Sequence, residues 1–383
     1  MRLADDVEAI EFEGRLLLVW QRNRTLLILN ESARIVWETM RAGVGAEEIA
    51  TLLSQGYGIP RGQAREDVAA MLAQWRAHEL VDAGSDRQPA PGGRPAEQGL
   101  APRPARRRDV AVERVYSPCG TAFRLAVEPP ELQHWLDRLL AHTEMTGTAP
   151  REVIGLFRDG TEHVVTLNGT ERHRCAPVDE AAGAVVRAIC DLSYPDADWS
   201  LFIHAAAVAR GDQAIVLAGP NGSGKSTLTA ALIASGLEYF SDDVVPFDCR
   251  AMRIVPVPFA LSVKEGSWPT LAGLYPVLDD LSDFAAGARR VRFLPPLEQA
   301  VRRTGASVRA LVFPRFRPGQ RFALERLAPA DALVDLVRAS RPLALDRPRL
   351  DRTLAWVRTV PAYRLTYAHL AQASAAVQEM FAD

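Results

Sequence analysis

The nine residues Gly219-Pro220-Asn221-Gly222-Ser223-Gly224-Lys225-Ser226-Thr227 constrain this chain more than any other stretch. They fit the pattern G-x-x-x-x-G-K-[ST] throughout. Glycines in such a loop let backbone N–H groups converge on phosphate oxygens, the lysine reaches the outer phosphates, and the serine hydroxyl serves a magnesium ion. The context agrees. Ala214-Ile215-Val216-Leu217-Ala218 is an apolar strand run just before the loop, and 225–234 reads as a helix just after it, its positive end aimed at the same charge. A nucleoside triphosphate with Mg²⁺ is therefore expected on Gly219, Asn221, Gly222, Ser223, Gly224, Lys225, Ser226 and Thr227.

The lysine count supports Lys225 independently. Of 45 basic residues only Lys225 and Lys264 are lysine. A GC-rich coding bias replaces lysine with arginine wherever both work, but an ammonium and a guanidinium are not interchangeable at a tight phosphate site, so the two remaining lysines are candidates for positions that need an ammonium. Upstream, 201–210 reads as a strand, and Gly211-Asp212 makes a two-residue turn with glycine first. That turn pairs residues whose numbers sum to 423 and sets His204 opposite Gly219. His204 is thus either a catalytic group or a brace for the loop. Downstream, Asp242 and Asp243 end a short strand, Asp242 standing 17 residues after Lys225. One carboxylate of such a pair can serve Mg²⁺ while the other accepts a proton from an attacking hydroxyl. Lys264 and Glu265 follow an apolar run and stand as a second phosphate contact and a second metal ligand, or as a plain turn. Arg309, Arg315 and Arg317 flank the strand-like 311–313, where a guanidinium could meet a transferred phosphoryl group.

Along the whole 383 residues the pattern predicts more than one core. Residues 1–84 read as three short strands (7–10, 15–20, 25–29), with a hairpin turn at 21–24 between the last two. Three helices follow, the first capped by Asn30, the second over 46–54 and the third from 62 to 80. The stretch 85–109 is rich in proline, glycine and alanine and ends in Arg106-Arg107-Arg108; it reads as a flexible linker. From 110 to 383 strand-like and helix-like stretches alternate (helices at 132–142 and 180–191, a hairpin around Asp159-Gly160), an α/β class. A net charge of -2 provides no field for nucleic acid, and no run of eighteen apolar residues predicts a membrane span. The acidic N-terminus lacks a secretory signal, and four scattered cysteines without a CxxC pair predict reduced thiols in a cytoplasmic protein, with neither zinc nor disulfides. Oligomeric state is left open.

The string from His204 through Gly219–Ser226 to Ser241-Asp242-Asp243 resembles the HPr kinase/phosphorylase family, whose fold is similar to the nucleotide domain of phosphoenolpyruvate carboxykinases. The resemblance implies an α/β kinase domain over 110–383 that uses ATP and Mg²⁺ to phosphorylate a serine hydroxyl. His204, Lys225, Ser226, Asp242 and Asp243 match residue by residue, which makes Asp243 the base and sets Asp242 near the metal with Ser226. Glu265 and Arg317 match loosely. Ala205 stands where that family has glycine, Asn221 where it has serine, and its glycine-rich segment after the metal-binding glutamate is not recognisable, so the chain resembles a divergent relative for which HPr is not the substrate. The loop also resembles that of ABC-transporter ATPases, but no LSGGQ-type signature follows.

Residues 1–84 are similar to PqqD-like recognition domains of ribosomal-peptide biosynthesis, through the order of three strands and three helices and the run Leu26-Leu27-Ile28-Leu29-Asn30-Glu31-Ser32-Ala33. That resemblance implies a winged-helix-like α+β unit that takes a leader peptide as an added strand against its third strand and third helix, with Leu26, Ile28, Val68 and Leu72 as contacts. A DNA-binding winged helix is the rival, and the absence of a basic surplus speaks against it. Together the two resemblances imply a kinase for a precursor peptide. An ATP-regulated peptide carrier and a small-metabolite kinase remain as alternatives.

Overall fold

The computed structural model describes residues 2–3, 7–20, 25–77, 80–82, 113–286, 289–341 and 346–382. The expected turn at 21–24 and the 85–109 linker with its arginine run lie outside these residues. The chain divides into two compact units, 1–99 with 342–354, and 100–341 with 355–383.

The first unit is a small α+β fold. Strands Val7–Phe12, Arg15–Trp20 and Thr25–Leu29 form an antiparallel meander, and helices Glu31–Arg41, Ala46–Tyr57 and Arg61–Ala77 follow. Alternation decides the faces. Leu16, Leu18, Trp20 and Leu29 turn toward the helices and meet Val36, Trp37, Ile49, Val68, Leu72 and Trp75 in one core. Trp37 and Trp75 pack edge to face with ring centroids 5.7 Å apart. The Asn30 side chain accepts from the Ala33 N–H at 2.8 Å, the expected cap, worth about 1 kcal/mol. The second helix runs to Tyr57, through Gly56, and stops only at Gly58, whose φ of 66° is left-handed. The third helix ends at Ala77, short of Leu80.

The second unit is mixed α/β. One sheet of five strands, ordered Thr170–Cys175, Glu162–Leu167, Val153–Asp159, Phe123–Val127, Glu113–Tyr116, carries helices Pro130–Leu140 and Val178–Ser193. A sheet of six strands is ordered Glu238–Ser241, Ala205–Arg210, Gln213–Ala218, Ser307–Phe316, Ala362–Tyr367, Ala323–Arg326. Its centre is parallel: Gln213–Ala218 runs beside Ser307–Phe316, and that strand beside Ala362–Tyr367. All three therefore finish at one edge, the end of a parallel sheet where ligands are usually held. The helix Lys225–Ala234 is buried almost all round, and Leu228, Leu232 and Ile233 join Val208, Ile215, Leu217 and Val312 in its core. Smaller sheets complete the unit: Arg253–Ile254, Val245–Asp248, Trp199–Ile203 and Ser340–Arg341 in one, Leu261–Lys264, Arg289–Leu294 and Phe284–Ala286 in another.

The single strand expected over 201–210 is in fact two. Trp199–Ile203 pairs with Val245–Asp248 in the four-stranded sheet, and Ala205–Arg210 pairs with Gln213–Ala218 in the six-stranded one. The chain changes sheets at His204, whose N–H donates to the Ala339 carbonyl. Both segments are apolar, so hydropathy alone hides the corner. No helix among the described residues is long and apolar enough to cross a membrane. All four cysteines are free thiols.

Candidate functional site

The hairpin register is the expected one. Ala205 lies across from Ala218, Ala206 from Leu217 and Arg210 from Gln213. Continued by one residue, this sets His204 beside Gly219, where the strand opens into the loop. The loop then closes on the helix Lys225–Ala234 through Gly222 and Gly224, with φ of 83° and 97°. Gly224 is required for a second reason: a Cβ there would collide with the hydroxyl of Tyr367. Tyr367 is buried, and its hydroxyl reaches the Gly224 carbonyl at 3.4 Å. On the same side the Phe316 N–H donates to the Ser223 carbonyl at 3.0 Å. The ends of two neighbouring parallel strands thus brace the loop from behind. The bracing by Tyr367 and Phe316 was not expected from sequence, because each is more than ninety positions away with no local signal.

Lys225 is 6% exposed. Its ammonium donates to the carbonyls of Gly219 (2.7 Å) and Pro220 (3.3 Å), and its Nζ lies 3.3 Å from His204 Nε2. His204 Nδ1 lies 3.1 Å from the Asp243 carbonyl. A carbonyl can only accept, so the imidazole carries its proton on Nδ1 and offers the Nε2 lone pair to Lys225. Burial and the adjacent ammonium hold the His204 pKa below the usual histidine range. Burial also lowers that of Lys225.

The aspartates divide by backbone geometry. Asp243 has φ of 71°, a left-handed conformation that aspartate tolerates better than most residues. At this bend Asp242 is sunk to 1% exposure, while the Asp243 side chain stays 41% exposed and approaches His204 Nδ1 at 3.8 Å. Asp242 Oδ1 accepts from Ser226 Oγ at 3.1 Å, and its Oδ2 accepts from the Ser262 N–H at 3.1 Å. Burial, then repulsion from Asp243, pushes the Asp242 carboxyl up to about 7.

Stability should therefore depend on pH in a defined sense. A carboxyl whose folded pKa lies above its unfolded one stabilises the fold while protonated, and that contribution is lost as pH rises from about 4 through about 7. The lowered pKa of His204 works oppositely below its usual range, so the difference between wild type and Asp242→Asn isolates the carboxyl. In metal-free buffer the melting temperature of the wild type should fall relative to Asp242→Asn by several degrees from pH 5 to pH 8. Parallel pH profiles would refute this origin of the pH dependence.

The remaining expected residues fall unequally. Lys264 ends the strand Leu261–Lys264 with Nζ 3.5 Å from Asn221 Oδ1, so both lysines of the chain meet at the loop. Thr227 Oγ1 lies 2.6 Å from Ser267 Oγ, a contact that ties the loop helix to the turn after Lys264. Glu265 is exposed at the start of that turn, and among the described residues no hydrogen bond joins it to Ser226 or Asp242. Arg315 and Arg317 are exposed at the loop end of Ser307–Phe316. Arg309 sits near the other end of the strand and donates to the Met380 carbonyl, away from the loop. In the N-terminal unit, Leu26 and Ile28 are half-buried on the edge strand, but Val68 and Leu72 are 2% and 3% exposed in the helix core and offer a peptide nothing. Helical spacing marks the inner face of a helix, and that face is spent on Leu18, Trp20 and Trp37. Of the half-buried residues packed on this core, Leu27 lies on the edge strand and Met71 on the third helix.

A polyphosphate with a divalent cation fits this site. Ser223 Oγ is buried without a partner among the described residues, on the inside of the loop. The hydroxyl–carboxylate pair Ser226–Asp242 is an all-oxygen donor set suited to Mg²⁺.

Comparison with known proteins reaches the N-terminal unit. No curated protein matches the chain. Among solved structures, TbiB1 in complex with the TbiA(beta) leader peptide aligns at 21% identity over 22% of this chain and 100% of that one, with a TM-score of 0.21. Residues 17–81, from the second strand of the meander to the two-residue strand Val81–Asp82 after the third helix, match the family of the coenzyme PQQ synthesis protein D (PqqD), and this segment of the chain is PqqD-like.

Proposed function

We propose that this protein is an ATP- and Mg²⁺-dependent kinase that phosphorylates a hydroxyl, serine foremost, of a ribosomally synthesised precursor peptide held by its leader on the PqqD-like unit. The observation that carries the reading is the meeting of Lys225, Ser226 and Asp242 with His204 and Asp243 at the end of one parallel sheet. A bound Mg²⁺ supplies positive charge to the polyphosphate, and Ser226 Oγ with Asp242 Oδ1 would hold it. The loop amides and Lys225 bind the transferred phosphoryl group. His204 fixes the place of the Lys225 ammonium and the Asp243 backbone. The solvent-facing Asp243 carboxylate takes the proton of the acceptor hydroxyl as its oxygen bonds to the γ-phosphorus and the bond to the β–γ bridging oxygen breaks, leaving ADP.

Peptide capture is supported by the PqqD likeness of residues 17–81 and by an open edge. Thr25–Leu29 pairs only with Arg15–Trp20 among the described strands, so its other edge is free to take an added strand. Leader binding raises the effective concentration of the acceptor segment. Side chains of the added strand that point toward the helices would meet Leu27 and Met71. Met71→Glu is expected to weaken leader binding about tenfold, roughly 1.4 kcal/mol, and more than Leu26→Glu on the opposite face. Fluorescence anisotropy with a labelled leader checks the order of the two effects.

The reading as a whole is tested by incubating the cognate precursor with ATP-Mg²⁺ and weighing the product. A gain of one phosphate on the core peptide supports it. ATP hydrolysis with bound but unmodified peptide would replace it with a peptide carrier, and phosphorylation of a small metabolite by a chain lacking residues 1–84 would replace it with a metabolite kinase.

A further inference from the structure

A second cluster of metal-ligating side chains lies in the five-stranded sheet, where the kinase reading uses nothing. His173, Cys175 and Glu180 bring an imidazole nitrogen, a thiol sulfur and a carboxylate oxygen all within 4.8 Å of one another. The fold makes the cluster. His173 and Cys175 are two apart on the edge strand Thr170–Cys175 and share a face, and a bulge between Glu171 and His173 resets the register just before them. Glu180 arrives from the first turn of the helix Val178–Ser193, which packs on that strand. His173 Nε2 and Glu180 Oε1 are 3.7 Å apart.

A second, buried imidazole lies on the same face of the sheet. Directly across from Cys175 stands His163, 6% exposed, on the same face of the sheet. Its Nδ1 lies 3.2 Å from the Ala176 carbonyl, which fixes the proton there. Its Nε2 is buried and has no partner among the described residues. An imidazole that donates one nitrogen to a backbone carbonyl and keeps the other lone pair free is oriented as metal-bound histidines are. Charge agrees as well. Burial, then the charges of Glu180 and Glu162, push the Cys175 thiol up to about 11, so it keeps its proton until a cation takes that place, while the neighbouring Arg174 is occupied by Glu171, Asp159 and Glu162. One thiolate and one carboxylate balance a divalent ion, with the neutral His173 imidazole as third donor and a water as the fourth.

We propose that His173, Cys175 and Glu180 form a zinc site that clasps the edge strand Thr170–Cys175 to the helix Val178–Ser193. A mixed sulfur, nitrogen and oxygen set suits Zn²⁺ over Mg²⁺ or Ca²⁺. Tetrahedral zinc needs donors about 3.4–3.8 Å apart. His173 Nε2 and Glu180 Oε1 already stand at 3.7 Å, and the remaining separations, at most 4.8 Å, close by about 1 Å or less when the exposed Glu180 carboxylate rotates. Binding forms a Zn–S bond and releases the Cys175 thiol proton to solvent. The lack of paired cysteines, which argued against zinc in the sequence, does not bear on a site with a single sulfur.

The test is cobalt replacement in the full untagged chain, stripped with chelator and dialysed. One equivalent of Co²⁺ should give the near-ultraviolet sulfur-to-metal charge-transfer band. Cys175→Ser should abolish that band. His173→Ala and the exposed Glu180→Gln, which test the site without touching a buried group, should weaken Co²⁺ binding at least tenfold. Asp242→Asn and Cys249→Ser should leave the band intact, which separates this site from the proposed Mg²⁺ site. Zinc should displace the cobalt and raise the melting temperature of the wild type but not of Glu180→Gln. No charge-transfer band in the wild type, or a band that survives Cys175→Ser, would overturn the proposal.

Discussion

Lys225→Ala is expected to remove phosphate transfer from ATP to the precursor peptide, by at least about 10²- to 10³-fold in kcat/KM, while leader binding stays at its wild-type value. The size follows from position. The Lys225 ammonium is 6% exposed and faces the carbonyls of Gly219 and Pro220 and the lone pair of His204, so it acts in a water-poor setting where charge on a phosphoryl group is weakly screened. Alanine would also release the loop carbonyls. Lys225→Met separates the two effects, because methionine fills similar volume without charge. If Lys225→Met transfers phosphate at a rate within a few-fold of wild type, Lys225 is a brace and the proposed chemistry fails. Leader binding measured on the same proteins controls for folding of the first unit, whose core is separate.

The second large effect is expected at Asp243. Asp243→Asn should lower kcat by about 10²- to 10⁴-fold and leave the KM for ATP near wild type, the pattern of a lost proton acceptor. Asparagine is the right probe because it tolerates the left-handed φ of 71° at this residue, so the bend and the Asp243 carbonyl that meets His204 should both survive. Asp242→Asn should differ in kind. Its carboxylate lies inside, on Ser226 Oγ and the Ser262 amide, so the loss should appear as a raised Mg²⁺ requirement. Rate against Mg²⁺ concentration for the two variants distinguishes them. Equal Mg²⁺ profiles would mean that the two carboxylates are not divided as their exposure suggests.

The parts of this site that sequence makes plain are those fixed by local chemistry. A nine-residue motif between an apolar strand and a helix leaves one geometry for Gly219–Ser226, and a two-residue turn at Gly211-Asp212 fixes the register that brings His204 to Gly219. What sequence hides depends on distant chain. The corner at His204 lies inside one apolar run, and its N–H donates to the carbonyl of distant Ala339. The Tyr367 wall behind Gly224 exists only because two parallel crossovers bring that strand's end back to the loop. Val68 and Leu72 mislead for another reason. Their spacing says which face of the helix is apolar, and a core and a binding groove demand the same spacing. The bulge in Thr170–Cys175 and the single sulfur of Cys175 give no countable pattern either.

The meeting of both lysines at Asn221 has a practical consequence. In most proteins amine-directed reagents scatter over the surface. Here, apart from the terminal amine, the only primary amines are Lys225 and Lys264. Amine coupling to a biosensor surface would tether the molecule through its terminal amine or its own loop, and every amine-reactive label on a side chain would report on that loop. With Lys225 buried and Lys264 half-exposed, Lys264 should label first of the two, and on the proposed function its labelling rate with and without ATP would read occupancy of the loop with no engineered probe.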